Sequence, residues 1–498
     1  MWEQALMALQ SFITWPSPLY LLLGATLGFV FGVIPGLGGT QALALLLPLT
    51  LTMSQEHAII TLIGVVGAST FGGSITAILL NTPGTSQNAA TVFDGYPLAK
   101  QGKAGVALGA AATASLMGAV VGVIILTLIL PFGRYIVLAF SYPEYVMIAL
   151  MGLSVIAVVS QGSMWKALIA AGLGFIFAAV GNDPITGELR FTFGIDYLYD
   201  GIKMVPALIG LFAISEAFKL MLEKGTISKE KVPLGITGVW EGVGSVFKNF
   251  GVFFRSSIIG TIIGIIPGVG GTVANFIAYG QTVQTSKNKE MFGKGDIRGV
   301  IGPESANNAK DGGALVPTLI FGIPGSAETA VLLGALILHG IQPGPRIMLD
   351  HPTLILELIY ALLAANIVVS TLGIFLAPQL TKLTKLPVML IAPNILVVSL
   401  LGAYMTQFEH GDVVVALLFG LLGYIMYRFG FSRIPLVIAL VLGGLLESNY
   451  HQTIKLFGVE GFFNRPLSLA LFLVTILMLS FPLIKKFKKS PKDSGVGM

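Results

Sequence analysis

One phrase occurs twice in this chain. Residues 32–40 read Gly-Val-Ile-Pro-Gly-Leu-Gly-Gly-Thr, and residues 264–272 read Gly-Ile-Ile-Pro-Gly-Val-Gly-Gly-Thr. Seven of the nine positions are identical, and the other two exchange one aliphatic for another. Gly28 and Gly260, one turn upstream, match at the same offset of 232. In both places the phrase cuts a long apolar stretch. Proline removes a backbone donor and opens the preceding turn, and glycine then admits φ > 0. A helix breaker duplicated inside membrane-type sequence points to a polytopic all-α protein built from two related halves, as in secondary transporters.

The surroundings are membrane-type because only 11% of the 498 residues are charged and 54% are hydrophobic, whereas soluble chains carry about 25% charged residues. Apolar spans are expected near 18–34, 41–53, 58–80, 104–131, 144–160, 167–181, 203–222, 249–266, 271–285, 313–338, 353–378, 387–402, 412–427, 434–447 and 467–484. The absence of cysteine excludes disulfides, thiol catalysis and thiolate-bound metal. The five histidines show no metal-ligand spacing. No secretory signal is expected at Met1-Trp-Glu-Gln, and residues 2–15 read as an interfacial helix with Trp2 and Trp15 at headgroup level.

Lysine and arginine set the orientation. Lys224, Lys229, Lys231 and Lys248 lie in the connection 223–248, and Lys287, Lys289, Lys294, Arg298 and Lys310 in 286–311. Lys382 with Lys385, Arg428 with Arg433, and the lysine-rich tail mark three more basic connections. The positive-inside rule makes all of these cytoplasmic. The acid-leaning connections 182–200 and 403–412 then face outside. The net charge of +5 is thus a matter of topology, not of nucleic-acid binding.

The arms on either side of Pro267 are short, and both of their outer ends are basic. They read as a re-entrant hairpin, 249–285, although two short crossings satisfy the same parity. Residues 18–53 have the same anatomy. Five crossings separate the hairpins, so they enter from opposite faces: an inverted-topology repeat with eleven crossings, the N-terminus outside and the C-terminus inside. The expected organisation is an interfacial segment 1–17, a first repeat 18–222, a linker 223–248, a second repeat 249–447, a last loop and crossing 448–484, and a basic tail 485–498. An elevator-like architecture is the expected form.

Each hairpin is followed by a second broken segment, 58–90 or 313–338. Residues 72–86 and 312–326 both begin Gly-Gly and end with Pro-Gly and a hydroxyl residue. A half-helix starting after such a break presents unpaired N–H groups and a positive dipole end, which favour anions. Gly36, Gly38, Gly39, Asn81, Thr82, Gly84, Thr85, Ser86, Gly268, Gly270, Gly271, Gly325 and Ser326 are therefore expected around a carboxylate substrate. Carbonyls freed at Pro35, Pro83, Pro267 and Pro324, with Thr40, Thr272, Asn275 and Thr329, suit a coupling cation, Na+ or H+. Asp94, Glu216, Glu304, Asn307, Asn308, Lys310, Asp311 and Glu328 are candidates for gating or coupling. The alternative for Glu304 to Asp311 is a solvated loop before the crossing at 313, and for Glu216 a side chain snorkelling to the interface.

These motifs resemble a known family. The Gly-x3-Gly-x2-Pro-Gly-x-Gly-Gly pattern at 28–39 and its second copy are similar to those of the large membrane subunit of the tripartite tricarboxylate transporters, the TctA-type permease. So are Asn81-Thr82-Pro83-Gly84-Thr85, the stretch from Phe93 to Ala99, and Pro303-Glu304-Ser305-Ala306-Asn307-Asn308-Ala309. The resemblance implies a bacterial inner-membrane permease without a resident cofactor. It implies two partners, a small membrane subunit of about four helices and an extracytoplasmic solute-binding protein. It further implies import of citrate or a related tri- or dicarboxylate, driven by a cation gradient, typically Na+. Another cargo, such as an aromatic carboxylate, stays open, as does an anion channel. A lipid-modifying enzyme is disfavoured, because no cluster of His, Asp or Glu is evident for metal or acid–base work.

Overall fold

The structure, a computed structural model, describes residues 2–159, 164–183, 185–222, 237–344, 347–380 and 388–488. The linker up to residue 236, the Lys382–Lys385 connection and the tail after Lys488 lie outside the described residues. The chain packs as two compact units, Met1–Val137 with Lys203–Phe429, and Leu138–Ile202 with Gly430–Met498. These units do not coincide with the two sequence halves.

The first unit opens with α1 (Trp2–Ile13), which buries Ala8 and exposes Leu6, Met7, Leu9 and Ile13. A 72° bend leads into α2 (Ser17–Val33). The expected apolar arm 41–53 is instead α3 (Gly39–Leu46) followed by a 3-10 turn, Pro48–Thr52. Proline stops the helix after eight residues, about 12 Å of rise against a hydrocarbon core of about 30 Å. Next comes α4 (Gln55–Leu80). A Cβ on Gly24, Gly28 or Gly32 would lie 1.9, 2.5 or 2.1 Å from the carbonyl oxygens of Thr61, Val65 and Ser69. Only glycine permits this backbone contact. The contacts advance in step, so α2 and α4 run parallel and the segment between them must double back. After α4 come α5 (Val92–Lys100) and α6 (Ala104–Ala139).

The chain then enters the second unit through α7 (Tyr142–Val159), α8 (Met164–Ala178) and a two-stranded hairpin, β1 (Gly181–Asn182) with β2 (Leu189–Arg190). It returns to the first unit with α9 (Met204–Leu208), a π-helical turn Ile209–Ile214 and α10 (Ser215–Leu222). Within the expected linker 223–248 lies a helix, α11 (Val239–Lys248), whose Trp240 and Phe247 are exposed. It meets α12 (Phe250–Ile265) at 79°, as α1 meets α2. Then follow α13 (Gly270–Thr285) and α14 (Arg298–Phe321). Gly260 and Gly264 of α12 sit against the carbonyl oxygens of Ala306 and Lys310, where a Cβ would come within 2.2 and 2.3 Å. The packing of α2 on α4 is thus found again in α12 on α14.

The first unit closes with α15 (Ala327–Leu338), α16 (Ile347–Asp350), α17 (Pro352–Leu380), α18 (Val388–Met405) and α19 (His410–Arg428). Gly118 and Gly122 lay α6 along α14, beside Ser305 and Ala309. Gly67 and Gly373 lay α17 along α4, beside Ala365 and Phe71. The second unit is completed by α20 (Ile434–Phe457) and α21 (Pro466–Lys488). Glu144, fully buried, holds Arg465 at 2.7 Å, and Arg190 is held by Glu447 at 2.5 Å.

Six helices are long and apolar enough to cross a bilayer among the described residues, or up to eight with the bent pairs included. Eleven crossings were expected. Among the described residues several apolar helices are shorter than 18 residues, and α14 carries Arg298, Glu304, Lys310 and Asp311. Large apolar side chains such as Leu128, Phe132, Phe375, Leu418 and Leu477 face outward, the reverse of a water-soluble surface and the arrangement hydrocarbon requires. The protein is an all-α, multi-pass membrane protein.

Candidate functional site

The two breaks are built alike. α4 ends on Asn81 and α14 on Gly322, both left-handed, with φ of 54° and 70°. The N–H of Asn81 reaches back to the Thr76 carbonyl, and that of Gly322 to the Pro317 carbonyl. Asparagine and glycine are the residues that accept this conformation at a helix end. Pro-Gly follows in each, then an extended hydroxyl residue, Thr85 or Ser326, which starts the next helical piece. The shared offset is 241, so Gly72 corresponds to Gly313. Gly72 and Gly73 thus align with Gly313 and Ala314, and the second Gly-Gly pair begins one residue earlier in its half.

Each duplicated turn docks on the break in its own half. The Gly36 N–H donates to the Gly84 carbonyl at 3.2 Å, and the Gly268 N–H donates to the Gly325 carbonyl at 3.1 Å. Gly36, Gly268 and Gly270 adopt φ of 87°, 73° and 72°, which frees the peptide to face the break. The approach is close. A Cβ on Gly84 would come within 2.0 Å of the Gly32 carbonyl oxygen, and one on Gly325 within 2.7 Å of the Ala314 Cα. Pro35, Pro83, Pro267 and Pro324 each precede one of these four docking glycines.

The two halves also touch. Thr272 donates to the Ser86 hydroxyl at 3.0 Å, and Asn275 Oδ1 accepts the Ala90 N–H at 2.8 Å. Lys310, 1% exposed, pairs with Asp311 at 2.5 Å and lies 3.8 Å from Glu328. Gln87 Nε2 donates to the other Glu328 oxygen. Gly271 packs on Gln87 and Lys310, and Gly39 packs on Ser69 and Glu328. Gln87, absent from the expected site, stands at the position of Glu328 by the offset of 241. That correspondence was available in the sequence once the register was known. The cluster therefore holds one ammonium and two carboxylates beside both turns, all buried. An anion that pairs with Lys310 must displace a carboxylate, and the freed carboxylate then needs a cation, because an unpaired buried charge is costly.

The remaining expected residues fall into separate groups. Glu304, Asn307, Asn308, Lys310 and Asp311 do not occupy a loop; α14 begins at Arg298 and buries all five. Asn308 donates to Asn366 of α17 at 2.6 Å, while both side-chain polar atoms of Asn307 have no protein partner. Glu216 does not snorkel: it is 2% exposed, paired with Lys219 at 2.9 Å, and its Oε1 would lie 3.4 Å from a Cβ on Gly36. Ser326 and Thr329 cap α15 reciprocally, and Thr82 donates to the Leu80 carbonyl. Thr85 donates to Asn88 at 2.6 Å, Gly38 donates its N–H to Gln41, and Thr40 is buried in the first turn of α3. Asp94 Oδ1 accepts the N–H groups of Gly293, Gly295 and Asp296, and Oδ2 accepts the Tyr279 hydroxyl, so it ties α5 to the loop before α14. Burial pushes the Asp94 carboxyl up, against the opposing pull of those donors. Among the described residues no group of three or more His, Asp or Glu side chains could hold a metal ion.

Comparison with known proteins bears on this geometry. The profile of the "Tripartite tricarboxylate transporter TctA family" matches residues 19–438, a span that contains both turns, both breaks and the buried cluster. Two relatives come from Agrobacterium vitis. One, an uncharacterised 52.8 kDa protein in the TAR-I ttuC' 3' region, is 35% identical over 433 residues, 87% of this chain and 86% of its own length. The other, from the TAR-II ttuC' 3' region, is 33% identical over 231 residues, 45% of this chain and 96% of its own. No solved structure matches. The chain belongs to the tripartite tricarboxylate transporter TctA family.

Proposed function

We propose that this protein is the large permease subunit of a cation-coupled, binding-protein-dependent importer of citrate or a related tri- or dicarboxylate. TctA is a family of transporters and not of enzymes, and its tripartite system implies a small membrane subunit and a binding protein as partners. The observation that carries the reading is the paired docking of turn on break, Gly36 on Gly84 and Gly268 on Gly325, with Lys310, Asp311 and Glu328 buried beside them. Such mid-membrane breaks form substrate and ion sites in transporters built from repeats. The N–H groups in the first turns of α3 and α13 and Lys310 bind the carboxylate, and Glu328, Asp311 and freed carbonyls take the coupling cation, Na+ or H+.

An inverted repeat is supported by the direction of the helices. Ser74 meets Glu304, while Gly67 and Asn308 both meet Asn366. Numbers rise along α4 as they fall along α14, so the corresponding helices of the two halves run antiparallel. The turns and breaks then move the cargo by alternating access in an elevator-like manner, in the bacterial inner membrane, with the N-terminus outside and the C-terminus in the cytoplasm. Proteoliposomes holding this chain with its two partner subunits test the reading. Under an imposed Na+ or H+ gradient they accumulate labelled carboxylate. Gly268→Leu, which forces a side chain into φ of 73°, stays in the membrane and loses uptake. No gradient-dependent uptake by the wild type refutes the proposal, and full uptake by Gly268→Leu removes the turn from the mechanism.

A further inference from the structure

Glu304 lies in the second turn of α14 and is 0% exposed. Three hydroxyls from three other segments bond to its carboxyl, with the Asn88 amide beside them. Ser74 of α4 reaches Oε2 at 2.6 Å, Ser115 of α6 reaches Oε2 at 2.9 Å, and Thr91, just before α5, reaches Oε1 at 2.5 Å. The nearby charges have other partners. Lys310 is held by Asp311 and Glu328, Arg298 by Asp296, Asp94 by the 293–296 loop, and Arg255 of α12 by the Gly251 carbonyl and Thr285. Among the described residues no cation bonds to Glu304.

A cage of hydroxyls has a property that a cage of N–H groups lacks. A hydroxyl can donate or accept, so it suits both protonation states of a carboxyl. Ser74 shows the alternative directly: its oxygen is 2.6 Å from Glu304 Oε2 and 3.3 Å from the Thr70 carbonyl. Its single hydrogen can go to the carboxylate. When the carboxyl is protonated, Ser74 can turn to Thr70 and accept. The cage is closed by hydrogen bonds of 2.5–2.9 Å, and a proton can join it without displacing an oxygen.

The cage is wired to the first break. Thr85 donates to Asn88 at 2.6 Å, Asn88 donates to Ser74 at 2.8 Å, and Ser74 donates to Glu304. Thr85 itself packs against the first turn, where its Cγ2 would lie 3.1 Å from a Cβ on Gly38. A shift of turn or break therefore alters the hydroxyls that stabilise the carboxylate.

We propose that Glu304 is a proton-carrying site: its carboxyl O–H breaks and reforms during the transport cycle, the proton passing to and from water, in step with movement of the first break. The proton site needs no knowledge of the cargo, whereas its coupling role rests on the transport reading above. Infrared titration of the purified protein in lipid separates the two. The wild type gives a protonated-carboxyl C=O band that disappears as pH rises, and the Glu304→Gln difference spectrum lacks that band. Ser74→Ala keeps the band and moves its midpoint upward by about one pH unit, since one donor to the ionised form is gone. A titration identical in wild type and Glu304→Gln overturns the site, as does an unmoved midpoint in Ser74→Ala. If the band titrates as expected but uptake by Glu304→Gln keeps the wild-type pH profile, the coupling role is overturned. If no carboxylate is transported at all, the infrared result still decides the site.

Discussion

Gly84→Ala is the smallest change that separates a turn from its break. The added methyl would lie 2.0 Å from the Gly32 carbonyl oxygen and 2.5 Å from the Gly73 Cα. Both are backbone atoms of packed helices and cannot rotate away. Ordinary contact begins at 3.4 Å, so the break must retreat by about 1.4 Å. If that falls along the Gly36–Gly84 bond, its 3.2 Å becomes about 4.6 Å, which is no hydrogen bond. Overpacking costs about 1–3 kcal/mol, and the hydrogen bond lost at Gly36, which is exposed, costs about 0.5–1.5 kcal/mol more. A loss of about 1.5–4.5 kcal/mol corresponds to at least about 3 °C in apparent melting temperature, at about 2 °C per kcal/mol. The assay is the midpoint of thermal aggregation of detergent-purified protein, followed by fluorescence-detected gel filtration. Gly280→Ala is the control: nothing lies within 4 Å of its Cβ, so it should hold or slightly raise the midpoint. Equal midpoints for Gly84→Ala and wild type would refute the reasoning, because the close approach would then be compressible.

Lys310→Met leaves Asp311 and Glu328 buried without a countercharge and should cost about 3–5 kcal/mol. Adding Asp311→Asn should recover much of it, and a double-mutant cycle by thermal melting showing no recovery would sink the assignment of Lys310 as their shared partner. Asp183, in the loop between α8 and α9, accepts the N–H groups of Ile185 and Thr186 and pairs with Arg190 at 3.3 Å. Those backbone bonds, then Arg190, hold its carboxyl below the usual range. A lowered carboxyl stabilises the loop above the ordinary value of about 3.9, and the effect fades as pH falls through the lowered one. Pepsin should therefore cut this loop slowly at about pH 4 and quickly near about pH 2, whereas Asp183→Ala should be cut quickly at both. Equal rates for the two proteins at about pH 4 would contradict this.

Much of the architecture can be read in the residues because membranes punish exceptions. The low charge, the runs of apolar residues and the Pro-Gly-x-Gly-Gly phrases at 35–39 and 267–271 all report local constraints, since backbone groups in lipid must be satisfied within their own segment or by a neighbour. Glu304 to Asp311 show where such reading stops. A run with Pro303, two asparagines and three charges reads as a loop, yet it is helical and buried. Pro303 lies inside that helix, in its second turn, and takes one backbone donor out of it. The polar side chains are tolerated because Ser74, Thr91, Ser115, Asn366 and Glu328 reach them from segments far away in the chain.

The sequence alone established a membrane protein with a duplicated, broken core, because the hydrophobic period and helix-breaking residues act over a few turns. Tertiary structure decided which groups meet. The register that pairs Gln87 with Glu328, the docking of Gly36 on Gly84, and the closure of three hydroxyls around Glu304 depend on glycine contacts between helices. Glycine has no side chain with which to declare its partner, so only the packed chain shows which backbone it is there to admit.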